Sequence, residues 1–231
     1  MTVLCWDFDG TLVLSPHRWK RSALDVLIET DSSIIAEDFY QALNVNSHTH
    51  TIWAEDNTLI GEEWWERTQQ IIFNDYLLCG ISSETALKAS RLFREKMTRI
   101  DRYQLYPDTA EVLEELKERG FRHVMITNNY PDFAKTVVGL GLSKFFDKII
   151  NSGDVGFNKP RTEIFELAKQ GYTDAEFWMI GDNPTADIIG GKQAGMKTVF
   201  VHKGHCQDAD YCFDNLKSIV ELLKQNPAPT V

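Results

Sequence analysis

From Tyr106 onward, short apolar runs alternate with segments of helical period, and this alternation points to a parallel sheet covered by helices on both faces. Residues 121–127, 147–151, 177–180 and 198–201 read as strands, with helices expected at 132–139, 162–170, 185–194 and 215–224. A strand buried on both faces shows a continuous apolar run instead of an in–out alternation. Parallel neighbours also need right-handed crossovers, which the intervening helices supply. After Pro107, the spacing of Asp108 and Glu111 matches a capping box, so Asp108 is expected to accept from the helix backbone and Glu111 to reach back. Gly120 is a natural end for that helix. Residues 2–6 form one more short apolar, partly β-branched run and belong to the same sheet.

Between those two regions the texture changes. Residues 16–102 are helical in pattern and lack convincing buried strands. Trp65, Thr68, Ile72, Tyr76 and Cys79 fall three or four apart, as do Ala86, Ala89, Phe93, Met97 and Ile100, and each set makes one apolar helix face. Two more helices are expected around 19–27 and 34–43. The expected fold is therefore α/β, a Rossmann-like doubly wound parallel sheet with an inserted four-helix cap domain. The core comprises 1–15 and 103–231, and the cap 16–102. Residues 44–57 read as a loop, whose His48 and His50 lack an obvious acidic or cysteine partner and are taken as solvated. Trp19, Trp53, Trp64 and Trp65 read as bundle packing, not as a platform for a nucleobase. The 226–231 tail looks frayed.

Composition narrows the function classes. At 231 residues and 43% hydrophobic, the chain can bury a good core with a second module. Its net charge of −10 argues against a broad nucleic-acid footprint and against attraction to an anionic membrane. Neither a signal peptide nor a membrane span is evident, so a soluble, cytoplasmic protein is expected. The four cysteines form no C-x-x-C pair and are expected to be reduced and structural. The expected partner is a small molecule bound by a monomer or small homo-oligomer, and an anionic substrate would need a local positive site.

Four strand ends carry reactive groups. Asp7 and Asp9 follow the first strand, with Gly10 at the turn; in open α/β sheets that edge is where ligands bind. Thr127, Asn128 and Asn129 follow a second strand, where a hydroxyl and amides can donate to an oxyanion such as phosphate. Lys159 sits in a Gly/Pro-flanked loop, and Asp182 ends another strand with Asp187 five residues on. Were these carboxylates to meet, repulsion would oppose their ionisation without a cation. An oxygen-rich site of this kind suits Mg²⁺. Lys159 and Thr127 would complete the charge balance around a phosphoryl group.

In this order the four segments resemble the motifs of haloacid dehalogenase-like hydrolases with a small helical cap. That group contains phosphoglycolate phosphatases and β-phosphoglucomutase-like enzymes. The resemblance covers nearly the whole chain. It implies that Asp7 is a nucleophile, Asp9 a general acid/base, and Thr127 and Lys159 phosphate ligands, with Asn128 beside them. Asp182 would be the third protein ligand to Mg²⁺, after a carboxylate oxygen of Asp7 and the backbone carbonyl of Asp9, and Asp187 a supporting acid. The activity implied is Mg²⁺-dependent hydrolysis of a small phosphomonoester through an aspartyl-phosphate. Dehalogenases of the family attack carbon and keep no acid/base aspartate, so Asp9 favours phosphate chemistry. A sugar phosphomutase would use the same core. A receiver-like signalling module would group similar residues, but the helical insert and Asp9 weigh against it. His17, Arg18 and Lys20 lie just after the first catalytic loop and are placed to reach an anionic leaving group.

Overall fold

Among the described residues the chain's apolar runs become eight strands, β1 (Thr2–Trp6), β2 (Val13–Leu14), β3 (Gln104–Leu105), β4 (Arg122–Thr127), β5 (Lys148–Asn151), β6 (Glu176–Gly181), β7 (Lys197–Val201) and β8 (Tyr211–Phe213). These come from a computed structural model that describes residues 1–14, 18–46, 52, 54 and 57–225. His17, His48, His50, Trp53 and the 226–231 tail lie outside the described residues.

Six strands form one sheet in the order β5-β4-β1-β6-β7-β8, with all neighbours parallel. The chain thus winds outward from β1 in both directions, the doubly wound order that opens a crevice at the carboxyl ends of the strands where its direction reverses. Side-chain alternation fills both faces. Leu4 and Trp6 of β1 join Met125, Ile180 and Val199 in one core cluster, and Val3 and Cys5 join Val124, Ile126 and Met179 in another. The first face is covered by α5 (Thr109–Glu118) through Val112, Leu113 and Leu116, and by α10 (Lys217–Gln225) through Ile219 and Leu223. The second is covered by α8 (Thr162–Lys169) through Ile164, Phe165 and Ala168. Burial pushes the Cys5 thiol up to about 12, and all four cysteines are free thiols. Among the described residues, no helix is long and apolar enough to cross a membrane.

Among the described residues, four α-helices lie between β2 and β3: α1 (Arg18–Thr30), α2 (Ala36–Asn46), α3 (Gly61–Leu78) and α4 (Ser83–Met97). Helix α4 packs on both α1 and α3. Trp65, Thr68, Ile72 and Tyr76 are buried on α3, and Ala86, Ala89, Phe93 and Met97 on α4, as their spacing predicts. Trp64 stands edge-on to both Trp19 and Trp65 inside this cluster, so these three indoles are packing residues. Ile100 departs from its expected helix face. The hydroxyl of Thr98 donates to the carbonyls of Arg94 and Glu95, the helix ends there, and Ile100 is exposed in the tight turn that follows. Strands β2 and β3 pair antiparallel where the chain leaves the sheet and where it returns.

The expected capping box is absent. Asp108 makes no side-chain bond to its own helix; its carboxylate accepts from the backbone N–H groups of Leu216 (2.9 Å) and Lys217 (3.2 Å), at the start of α10. Glu111 pairs with Lys217 instead of reaching back. Asp108 therefore satisfies donors that a helix start leaves orphaned, but on a helix remote in sequence. Asp108→Ala is expected to cost about 1 kcal/mol and, for a chain of this size, to lower Tm by about 2–4 °C. A thermal melt checks this, and no change would show that the cap contributes nothing.

Candidate active site

Strand β1 ends at Trp6, so Asp7 is the first residue past the sheet, and its backbone N–H donates to Ile180 of the neighbouring strand at 2.9 Å. The chain then turns sharply. Gly10 adopts φ +83, a conformation costly for other residues, and a Cβ there would overlap the Asp182 carboxylate. Asp182 follows β6, the immediate neighbour of β1. The absence of a side chain at Gly10 therefore lets two strand ends bring Asp7 and Asp182 together. Thr11 bridges them, its hydroxyl lying 3.5 Å from Asp7 and 3.4 Å from Asp182.

Asp187 arrives by a different route. The segment expected to be a regular helix at 185–194 begins as a wide π-type turn, Pro184–Ile189, followed by α9 (Gly190–Gln193). Asn183 caps the turn by accepting from the N–H groups of Thr185 and Ala186 at 3.0 Å. Asp187 then folds back against Gly181, where any Cβ would strike its carboxylate, and accepts from the Asn183 N–H at 2.9 Å. Such turns inside helices recur at functional sites.

Lys159 joins these carboxylates. Its ammonium donates to Asp7 at 2.7 Å and to Asp187 at 2.6 Å, with only 2% of the side chain exposed. Its loop is held by Asn128, whose side-chain amide donates to the Lys159 carbonyl at 3.0 Å and accepts from the Lys159 N–H at 2.7 Å. One cavity of about 190 Å³ is lined by Asp7, Asp9, Thr127, Asn128, Lys159, Asp182 and Asp187, together with Asn183 and Ala186. The structure thus gathers the residues the sequence singled out at the strand ends, except that Asn129 reaches the group through its bond to Asp9 and does not line the cavity. Larger cavities lie elsewhere in the molecule, but this one lies at the carboxyl ends of the strands and holds the Asp7, Asp182 and Asp187 cluster.

The electrostatics follow from burial. Loss of water pushes the Asp7 carboxyl well above its ordinary range; Lys159 opposes that shift, and Asp187 and Asp182 add to it. Asp187 is raised for the same first reason, again against Lys159. Lys159 itself is held above its usual value: burial disfavours its charge, but Asp187 and Asp7 outweigh that. Oxygens of Asp7, Asp182 and Asp187 lie within 4.8 Å of one another, and all three residues are buried. Three carboxylates meet two ammonium groups, buried Lys159 on Asp7 and Asp187 and exposed Lys203 on Asp182, so the cluster is still short of positive charge, and hard oxygen donors in this number fit Mg²⁺.

Four further residues join the site: Lys203 and His202, which the sequence did not single out, and Arg18 and Asn129, which it did. Lys203, on the loop after β7, places its exposed ammonium 2.5 Å from Asp182. His202, with φ +68, stacks on Tyr106 and brings a ring nitrogen within 3.0 Å of the Thr11 carbonyl. Arg18 donates to Asp9 at 3.0 Å, and Asn129 donates to the same Asp9 oxygen at 2.7 Å. Arg18 is thus bonded to Asp9 in place of standing open to a leaving group, and Lys20 is bonded to Asn44 on the surface. Asn129 had its sequence signal in the polar run after β4 and Arg18 in the segment that follows the β1 turn; Lys203 and His202 had none.

Residues 1–195 match the family model of haloacid dehalogenase-like hydrolases. A phosphoserine phosphatase of Thermus thermophilus is 37% identical over 119 residues, covering 50% of this chain and 46% of that protein. A glyceraldehyde 3-phosphate phosphatase of Methanocaldococcus jannaschii is 33% identical over 128 residues, covering 52% and 56%. The chain spans about half the length of these two relatives. Among solved structures, the HAD-hydrolase YfnB of Bacillus subtilis, bound to magnesium, superposes with a TM-score of 0.75 at 23% identity, covering 96% of this chain and 98% of that one. At that identity the likeness speaks for the fold.

Proposed function

The chain belongs to the haloacid dehalogenase-like hydrolases, and we propose that it is a phosphohydrolase that cleaves a small phosphomonoester through an aspartyl-phosphate on Asp7. The observation carrying this reading is the meeting of Asp7, Asp182 and Asp187 at one point, with Asp7 and Asp187 sharing the buried ammonium of Lys159. The two relatives named as phosphatases of small phosphate esters support it. The core would comprise 1–15 and 103–231 and the cap 16–102, with the β2–β3 ribbon at their junction.

In this reading an oxygen of the Asp7 carboxylate attacks phosphorus. The P–O bond to the leaving group breaks, and Asp9 gives its proton to the departing alkoxide. Water then attacks the phosphorus of the aspartyl-phosphate, Asp9 takes the water's proton, and the Asp7 carboxylate is restored as phosphate leaves. Lys159 offsets charge on the transferring oxygens. Thr127 lines the same cavity and donates to them, while Asn128 fixes the Lys159 loop. Asp187 holds the other side of the Lys159 ammonium, so that the lysine keeps its place when Asp7 changes charge. Asp7, Asp182 and the backbone carbonyl of Asp9 would hold Mg²⁺, which when bound supplies a Lewis acid for the phosphoryl oxygens.

A phosphate-release screen over sugar phosphates, phosphoserine, phosphoglycolate and an aryl phosphate tests the proposal. Multiple-turnover release that requires Mg²⁺ and stops with EDTA is expected. Isomerisation of a sugar phosphate without phosphate release would instead make the chain a phosphomutase. No turnover of any ester would contradict both.

A further inference from the structure

Arg18 is the first residue of α1, yet its guanidinium lies in the reaction centre, 8% exposed. One Nη donates to Asp9 Oδ2 at 3.0 Å and lies 3.4 Å from Asn129 Oδ1, and the other donates to the Tyr103 hydroxyl. The cation rests 4.5 Å above the Tyr103 ring and 5.6 Å from that of Tyr130. Burial opposes its charge, but Asp9 and the two phenols more than compensate, so the guanidinium stays charged. Asn129 Nδ2 donates to the same Asp9 Oδ2 at 2.7 Å. One oxygen of Asp9 therefore receives an N–H from the helical insert and another from the loop after β4.

We propose that Arg18 is the positioning residue for Asp9, fixing the carboxylate for proton transfer to the leaving group and tying that step to the placement of α1. The inference rests on the reading of Asp9 as the acid/base residue. Its physical basis is that a proton transfers efficiently only across a heavy-atom separation of about 2.6–3.2 Å. A carboxylate on a turn beside Gly10 has two side-chain torsions to fix, and two N–H donors converging on one oxygen restrict both. An arginine suits the position because its planar fork serves Asp9 and Tyr103 at once while its face lies on aromatic rings, which a lysine cannot reproduce. Both Nη groups are already committed to these partners, so Arg18 acts through Asp9 and does not need to touch the substrate.

The test compares kcat/KM for β-glycerophosphate, whose alkoxide needs a proton to depart, with that for para-nitrophenyl phosphate, whose phenolate does not. The ratio of the two is independent of how much of a variant is folded. In both Asp9→Asn and Arg18→Met, the alkyl ester is expected to lose about 10²-fold and the aryl ester no more than about 3-fold. Arg18→Lys should recover part of the loss. If Asp9→Asn shifts the ratio but Arg18→Met lowers both substrates alike, Arg18 is structural and the inference fails. If Asp9→Asn leaves the ratio unchanged, the acid assignment itself fails, and the role of Arg18 falls with it.

Discussion

Asp7→Asn is expected to lower kcat by at least about 10⁴-fold, because loss of a nucleophile removes the covalent route entirely. The same substitution should leave the fold intact and, in metal-free buffer, make it no less stable. The reason is the direction of the Asp7 shift. Burial first, then Asp187 and Asp182, push its carboxyl up against the pull of Lys159. A carboxyl raised in the folded state contributes stability at acid pH that is lost as pH rises through its folded pKa. Asparagine cannot ionise and escapes that loss. The melting temperature of Asp7→Asn relative to the native chain should therefore climb as pH rises from about 4 upward, measured with EDTA throughout. Mg²⁺ should then stabilise the native chain more than the variant. A variant that unfolds, or that keeps measurable turnover when free of contaminating phosphatase, would contradict the assignment.

Lys159→Met carries the second large effect, on activity and stability together. With the ammonium gone, Asp7 and Asp187 remain buried, and Asp187 is fully enclosed. Removing one partner of a buried ion pair costs about 3–5 kcal/mol, since the other charge is left uncompensated. For a chain of this size that lowers Tm by roughly 10 °C. Loss of a preorganised donor to the phosphoryl oxygens should lower kcat by at least about 10²–10³-fold. The stability deficit should shrink toward acid pH as the two stranded carboxyls take up protons, and it should grow as pH rises. Thermal melts across pH separate this from a simple packing defect, which would give the same deficit at every pH.

What the sequence made legible depended on how local the cause was. β1 and its Asp7, β4 and its Thr127, and β6 and its Asp182 were readable because buried parallel strands are short continuous apolar runs and their carboxyl ends share one edge. The buried faces of α3 and α4 were readable from their period. Features set by remote partners were not. β2 and β3 are two residues each and exist only by pairing with one another, and three-residue β8 depends on β7. Asp108 had the local spacing of a capping box, yet its carboxylate found the exposed N–H groups of a helix more than a hundred residues away. The turn bearing Asp187 broke a regular helix because Asn183 and Lys159 both hold that carboxylate. Arg18 and Lys203 gave no periodic signal, because a long cationic side chain reveals its partner only once the fold brings the two together.

The central claim is that phosphate passes through the Asp7 carboxylate, and trapping that intermediate tests it most directly. The native protein, mixed with a turned-over phosphomonoester and Mg²⁺, is acid-quenched during steady state and reduced with borohydride, which converts an aspartyl-phosphate to homoserine. Peptide mass spectrometry is expected to find substrate-dependent homoserine at Asp7, and none in Asp7→Asn. Steady turnover with no reduction at Asp7, or with reduction at Asp182 instead, would contradict the account.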